Sequence, residues 1–182
     1  SVCLLHILNE LKAELGLKVY AAHLNHCLRG QDAIDDEMAV KKLCESLNIP
    51  LFCERIDVKE KEKKQKQSVE TVARNIRYEF LKRVSKGVIA TAHTASDNLE
   101  TVIFNIVRGS GLKGVCGIPV KREGIIRPLI ECTREQVEEY CAKNNLVFCT
   151  DKTNFQDIYS RNNIRMNVVP KLKEINSAAQ QN

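Results

Sequence analysis

The chain of 182 residues has no apolar run approaching the roughly 20 residues that a membrane-crossing helix needs, which excludes a helical span and a membrane partner. It also has no C-x-x-C pair, although eight cysteines are present (Cys3, Cys27, Cys44, Cys53, Cys116, Cys132, Cys141, Cys149). A zinc ribbon or dithiol redox motif is therefore not indicated. Most of these cysteines fall inside apolar periodic segments, so they read as buried thiols of a reducing compartment rather than a disulfide framework. Nothing at the start resembles a secretion signal, and the chain opens on Ser1 without methionine, so its native start is expected upstream. The expectation is a soluble, cytoplasmic protein. Excess charge is scarce too: 28 Lys+Arg against 23 Asp+Glu leave +5, which suits a polyanionic partner without demanding one. The 43% of hydrophobic residues suffice for one core, so residues 1–182 are expected to form a single domain.

What is present is an alternation of helices and short apolar strands. Val2, Leu4, Leu5, Leu8, Leu11 and Leu15 recur at helical spacing until Gly16 stops them, and "KVYAAH" reads as a buried strand. A helix over about 32–47 follows, through Ile34, Met38 and Leu43, with a strand at "LFCERI". The tract "KEKEKKQKQ" reads as a solvated loop, after which Ser68 caps a helix striped by Val69, Val72, Ala73, Ile76, Phe80 and Val84. Next come a strand at "GVIATAH", a helix over about 95–108, a glycine loop, a strand near "GIIRPLI" and a helix opened by a Thr133–Gln136 capping box. A last helix over about 159–175 carries Pro170 and is expected to kink or break there. Such alternation predicts an α/β fold, doubly wound around a mainly parallel sheet with helices on both faces. A domain of that kind normally opens with a strand, so the first strand is expected to be absent from this chain.

Three polar clusters fall where such a sheet binds ligands. In "ATAHTASDNLETVIFNIVRGSGLKG", His93 ends a strand, Thr94 and Asp97 can form a capping box, and Asp97 and Glu100 lie three residues apart beside the arc of Leu99, Val102, Ile103 and Ile106. Two carboxylates facing the crevice is one reading; simple complementing of the helix dipole is the other. In "HLNHCLRG", His23 and His26, with Cys27 and His93, allow a metal site, but the spacing is a poor zinc signature and no metal ligand is assigned. The alternative is ordinary strand-end histidines followed by a turn with Arg29 exposed. Arg74 with Arg77, and Arg161 with Arg165, each place two guanidinium groups on one helical face, suited to phosphate or merely to solvent. The loop "GSGLKGVCG" offers backbone freedom at Gly109 and Gly111 but lacks the lysine-serine ending of a Walker loop.

Together "HLNHCLRG", "SVETVARNIRYEFL", "ATAHTASDNLETVIFNIVRGSGLKG", "RPLIECTREQVEEYC" and "DKTNFQDIYSRNNIRMNVVPKL" occur in the order that resembles the tRNA(Ile)-lysidine synthetases, a family of N-type ATP pyrophosphatases. The resemblance implies ATP-dependent adenylation of the wobble cytidine of tRNA(Ile), followed by attack of free L-lysine to form lysidine. It implies ATP and Mg as cofactors and assigns His93, Asp97, Glu100 and Arg165 to catalysis. On the same likeness Arg74, Arg77, Arg108, Arg161, His26 and Arg29 serve tRNA or substrate, and Ser1, His23, His93, Gly109 and Gly111 serve ATP. A homodimer is allowed.

Departures accompany the likeness. The family's serine-glycine-glycine-x-aspartate-serine phosphate loop is absent, and Ser1 to Leu5 looks like the end of that motif, so truncation at both ends and an inactive polypeptide are expected. Where the family usually reads histidine-histidine-x-aspartate-aspartate-glutamine, this chain has His93 to Asn98 as H-T-A-S-D-N. A related tRNA-thiolating enzyme and an inactive nucleotide- or RNA-binding remnant are the alternative readings.

Overall fold

The computed structural model describes residues 1–62, 68–148 and 160–180, without the side chains of Lys113, Ser160 and Arg161. The chain divides into two compact units, one formed by Leu5–Ile89 and the other by Ser1–Leu4 with Ala90–Asn182.

In the first unit, strands β1 (Ala21–Asn25) and β2 (Leu51–Arg55) pair in parallel, with Ala21 opposite Leu51 and His23 opposite Cys53. The pairing starts later than the apolar run suggests, because the ladder begins only where β2 lies alongside. The crossover between them is helix α2 (Gln31–Ser46). Its inward residues are Ala33, Glu37 and Cys44, while Met38, expected inside, is exposed. The buried line is displaced because Glu37 finds enough hydrogen bonds below the helix to be held indoors. Helix α4 (Val69–Val84) is capped by Ser68, whose hydroxyl accepts the Thr71 N–H, and buries Val72, Ala73, Ile76 and Phe80 as its spacing predicts. Val72, Ala73 and Ile76 pack with Val58, Leu24, Leu28 and Ile56 into the unit's core.

Two expectations fail here. The stretch read as a solvated loop starts with a helix, α3 (Val58–Glu62), whose N–H groups at Lys59 and Glu60 are capped by Asp57 and whose Val58 is fully buried. Residues 63–67 of that tract lie outside the described residues. Helix α1 (Val2–Glu10) is shorter than its leucine pattern; Leu15 is exposed, in turns that Gly16 ends with a φ of 61°.

The second unit holds strands β3 (Ile89–Ala90), β4 (Lys121–Arg122) and β5 (Ile125–Ile126) in the order β3-β5-β4. β4 and β5 form an antiparallel hairpin absent from the sequence reading; Glu123 and Gly124, both at positive φ, make its two-residue turn. β3 is shorter than "GVIATAH", with only the Thr91 N–H to Ile126 carbonyl bond extending it among the described residues. Helix α5 (Ala95–Val107) starts at a complete Thr94–Asp97 capping box, and α7 (Arg134–Lys143) at a complete Thr133–Gln136 box. The glycine loop contains a short helix, α6 (Leu112–Val115). From Ser160 onward the chain passes from α8 (Ser160–Asn163) through a π-helical turn (Ile164–Val168) into α9 (Val169–Ile175). Pro170 therefore does not break the helix. It sits in the first turn of α9, where a missing N–H is tolerated.

Candidate functional site

Helix α5 begins with its carboxylates unequally engaged. Asp97 Oδ2 accepts both the Thr94 N–H and the Thr94 hydroxyl at 2.8 Å, which closes the capping box. Its Oδ1 remains 3.8 Å from Arg165 Nη2. One turn on, Glu100 is only 5% exposed, and Arg165 grips it in bidentate fashion: Nε donates to Oε1 at 2.6 Å and Nη2 to Oε2 at 3.0 Å. The π turn carries Arg165 to this pair, and the carboxylates raise the guanidinium's affinity for its proton, Glu100 above all. The core arc expected on α5 is only partly correct, since Ile106 is exposed while Glu100 takes a buried place. An arginine fork makes that burial tolerable.

His93 is half-buried, its Nδ1 3.0 Å from the Thr91 hydroxyl. Arg108 stands over the Phe104 ring at the end of α5, and Ser1 precedes α1, exposed. Several amides of the glycine loop are engaged within it or by the end of α5. Gly109 donates to Ile106, Ser110 to Asn105 and Gly114 to Gly111, while Gly111 precedes α6. The helix of Arg161 is described, but its side chain lies outside the described residues.

The three positions that depart from the family pattern each have a partner. Thr94 caps α5. Ser96 Oγ accepts the Arg134 N–H at 3.2 Å, at the start of α7. Asn98 Oδ1 accepts the Ile118 N–H at 2.6 Å, docking the segment after Gly117 onto α5. Asn105 adds a bond from Nδ2 to the Gly114 carbonyl at 2.9 Å.

In the other unit, β1 delivers His23 and the turn after it delivers His26. Nε2 of His23 and Nδ1 of His26 are buried with no hydrogen-bond partner among the described residues. His26 Nε2 lies 3.2 Å from Arg77 Nη2, so the ring nitrogen accepts from the guanidinium. Burial first, then Arg77 and His23, push the His26 pKa down to about 4; burial likewise lowers His23. Arg74 is exposed over the Tyr78 ring, and Arg29 pairs with Asp36 at 2.5 Å rather than standing free.

Sequence reasoning missed the polar knot beneath this turn. Glu37 accepts from Arg55 (Nε to Oε2, 2.7 Å), Lys41 (2.7 Å) and Asn25 (3.1 Å). These bonds, Arg55 first and Lys41 next, hold its carboxyl well below the usual range. Asn25 Nδ2 also donates to the Ala33 carbonyl and its Oδ1 accepts the Cys27 N–H at 2.9 Å, which fixes Cys27 at a φ of 56°. A polar residue on the inward line of α2 was the available signal. Among the described residues no three His, Cys, Asp or Glu side chains cluster.

Residues 1–172 match the family model described as PP-loop domain. Curated proteins named tRNA(Ile)-lysidine synthase are similar along nearly the whole chain. That of Clostridium perfringens (strain 13 / Type A) is 46% identical over 179 residues, 96% of this chain and 38% of the relative. That of Petrotoga mobilis is 39% identical over 180 residues, 97% of this chain and 58% of the relative. The chain thus spans well under two thirds of the length of either. Among solved structures, the U34-tRNA thiolase NcsA from Methanococcus maripaludis with its [4Fe-4S] cluster superposes with a TM-score of 0.79 at 19% identity, covering 99% of this chain and 64% of that one. At that identity the likeness establishes the fold alone, the doubly wound α/β type. With that fold, and with a family model that covers all but the last ten or so residues, the chain belongs to the PP-loop domain family.

Proposed function

We propose that this chain is the part of a tRNA(Ile)-lysidine synthetase that adenylates the wobble cytidine with ATP and joins lysine to it. The observation that carries the reading is the Asp97, Glu100 and Arg165 constellation at the mouth of α5, in a chain 39–46% identical to proteins of that name. In the reaction the C2 oxygen of cytidine attacks the α-phosphorus of ATP and pyrophosphate leaves. The side-chain amine of lysine then attacks C2, the C2–O bond breaks, AMP departs and the amine gives up a proton.

The residues divide these tasks by their engagement. Both oxygens of Glu100 are taken up by Arg165, so Glu100 is a positioning residue that aims a guanidinium held in its charged form at anionic oxygen. Asp97 Oδ1, outside the capping box, is the carboxylate oxygen offered to the lysine ammonium group. His93, tied to Thr91, stands one residue before the cap as a proton carrier. Exposed Arg74, Arg77 and Arg108 suit the phosphates of tRNA. Magnesium, which the family resemblance implies, is typically held by one or two carboxylates together with substrate phosphates; here Asp97 Oδ1 could serve as such a ligand, since both Glu100 oxygens are engaged by Arg165. No step is routed through it.

The test uses the intact gene product. Pyrophosphate release that requires both lysine and tRNA(Ile) is the expected result. Release that requires a sulfur donor instead would indicate thiolation, and no release with either would leave a non-catalytic binding module.

A further inference from the structure

Arg127, which follows β5 directly, is only 6% exposed. Its backbone N–H donates to the Val120 carbonyl at 2.9 Å, and its Nη1 donates to the Pro119 carbonyl at 2.6 Å. Its Nε is buried with no acceptor among the described residues. Among the described residues no carboxylate is paired with it. This contrasts with the other buried charges of the protein: Glu37 is met by Arg55 and Lys41, and Glu100 by Arg165. A guanidinium cannot shed its proton to escape burial, so an unmatched one needs an anion.

The surroundings limit what that anion can be. Pro119 lies in the segment that Asn98 docks, through Ile118, onto α5, the helix bearing Asp97 and Glu100. A side chain so little exposed admits single oxyanion groups rather than an extended polymer backbone. A guanidinium fork with most of its five donors unused matches phosphate oxygens. We propose that Arg127 binds a phosphate oxyanion of a small ligand, the phosphate chain of a nucleotide or the pyrophosphate released from it, and that this ligand supplies the missing counter-charge. The assignment rests on the reading that the chain uses ATP.

The experiment titrates the intact gene product with ATP, pyrophosphate and a tRNA anticodon stem-loop, each separately, comparing wild type with Arg127→Lys and Arg127→Gln. At least a tenfold loss of ATP or pyrophosphate affinity in Arg127→Gln, a smaller loss in Arg127→Lys and unchanged stem-loop binding are expected. Loss for both ligands places the β- and γ-phosphates at Arg127; loss for ATP alone places the α-phosphate there. Unchanged affinity for both, or weakened stem-loop binding alone, overturns the proposal. Should Arg127→Gln fail to fold, the Arg127 Nε–H resonance of the wild type, identified by its absence in Arg127→Lys, decides: it shifts on adding ATP or pyrophosphate, and no shift with either at saturation refutes the assignment. Wild type that binds pyrophosphate through Arg127 yet shows no lysine-dependent turnover would sink the lysidine reading while leaving the anion site standing.

Discussion

Replacing Glu100 by glutamine keeps its shape and removes its charge. One of the two oxygens becomes an amide that faces an Arg165 N–H donor, so one charge-assisted bond turns into a donor–donor contact and the other weakens. Hydrogen bonds to charged groups contribute about 1.5–3 kcal/mol, and breaking a fully buried pair costs about 3–5 kcal/mol. Arg165 keeps 29% of its side chain exposed, which lets water compensate in part, and Asp97 Oδ1 at 3.8 Å retains some attraction. A net loss of about 2 kcal/mol is therefore expected for Glu100→Gln. The assay is urea unfolding of the intact gene product across a double-mutant cycle with Arg165→Met. A coupling energy of about 1–2 kcal/mol is expected, because each single change removes the same pair. Additivity within about 0.5 kcal/mol would refute the claim that Glu100 acts through Arg165. In activity, Glu100→Gln should lower kcat more than it raises KM for lysine, since Glu100 holds the arginine rather than the amine; the opposite split would give Glu100 direct contact with lysine.

Three further outcomes follow from the geometry. Gly117→Ala meets a positive φ of 66° and puts a Cβ 2.2 Å from Asn98 Oδ1, so the docking bond to Ile118 must break; a loss of about 2–4 kcal/mol is expected, partly recovered in the Gly117→Ala/Asn98→Ala pair, as thermal unfolding would show. Glu37→Ala leaves Arg55, Lys41 and Asn25 without their shared acceptor; because Arg55 and Lys41 are about half exposed, the loss should be about 1–3 kcal/mol by urea unfolding, while Glu54→Ala at the surface changes little. His26 carries its proton less readily folded than unfolded, so between pH 6.5 and about 4 the unfolded chain binds more protons and stability falls as pH drops through that window. Allowing for its partial exposure, the loss is about 1–2 kcal/mol, and His26→Gln should flatten that slope in pH-dependent unfolding.

Much of the architecture could be read along the chain because it depends on short-range rules. The Ser68 cap, the Thr94–Asp97 and Thr133–Gln136 boxes and the apolar stripe of α4 are each decided within one or two helical turns. The Glu123–Gly124 turn and the Asp57 cap of α3 obey equally local rules, yet the sequence reading holds only a strand near "GIIRPLI" at the first and a solvated loop at the second. Of the candidate site, the clustering of Asp97 and Glu100 was legible from their spacing.

The sequence alone thus determined where the longer helices α4, α5 and α7 form and start, since caps and periodicity act between neighbours in the chain. Tertiary structure alone decided which charges go inside. Glu100 meets Arg165 across 65 residues, Glu37 meets Arg55 across 18, and Asn98 turns out to dock the Gly117 segment 20 residues away. The energy of a buried charge depends on partners that only the fold brings within hydrogen-bonding distance. For the same reason Arg127, an unremarked arginine in an apolar run, became conspicuous only once its surroundings were found to hold no matching carboxylate among the described residues.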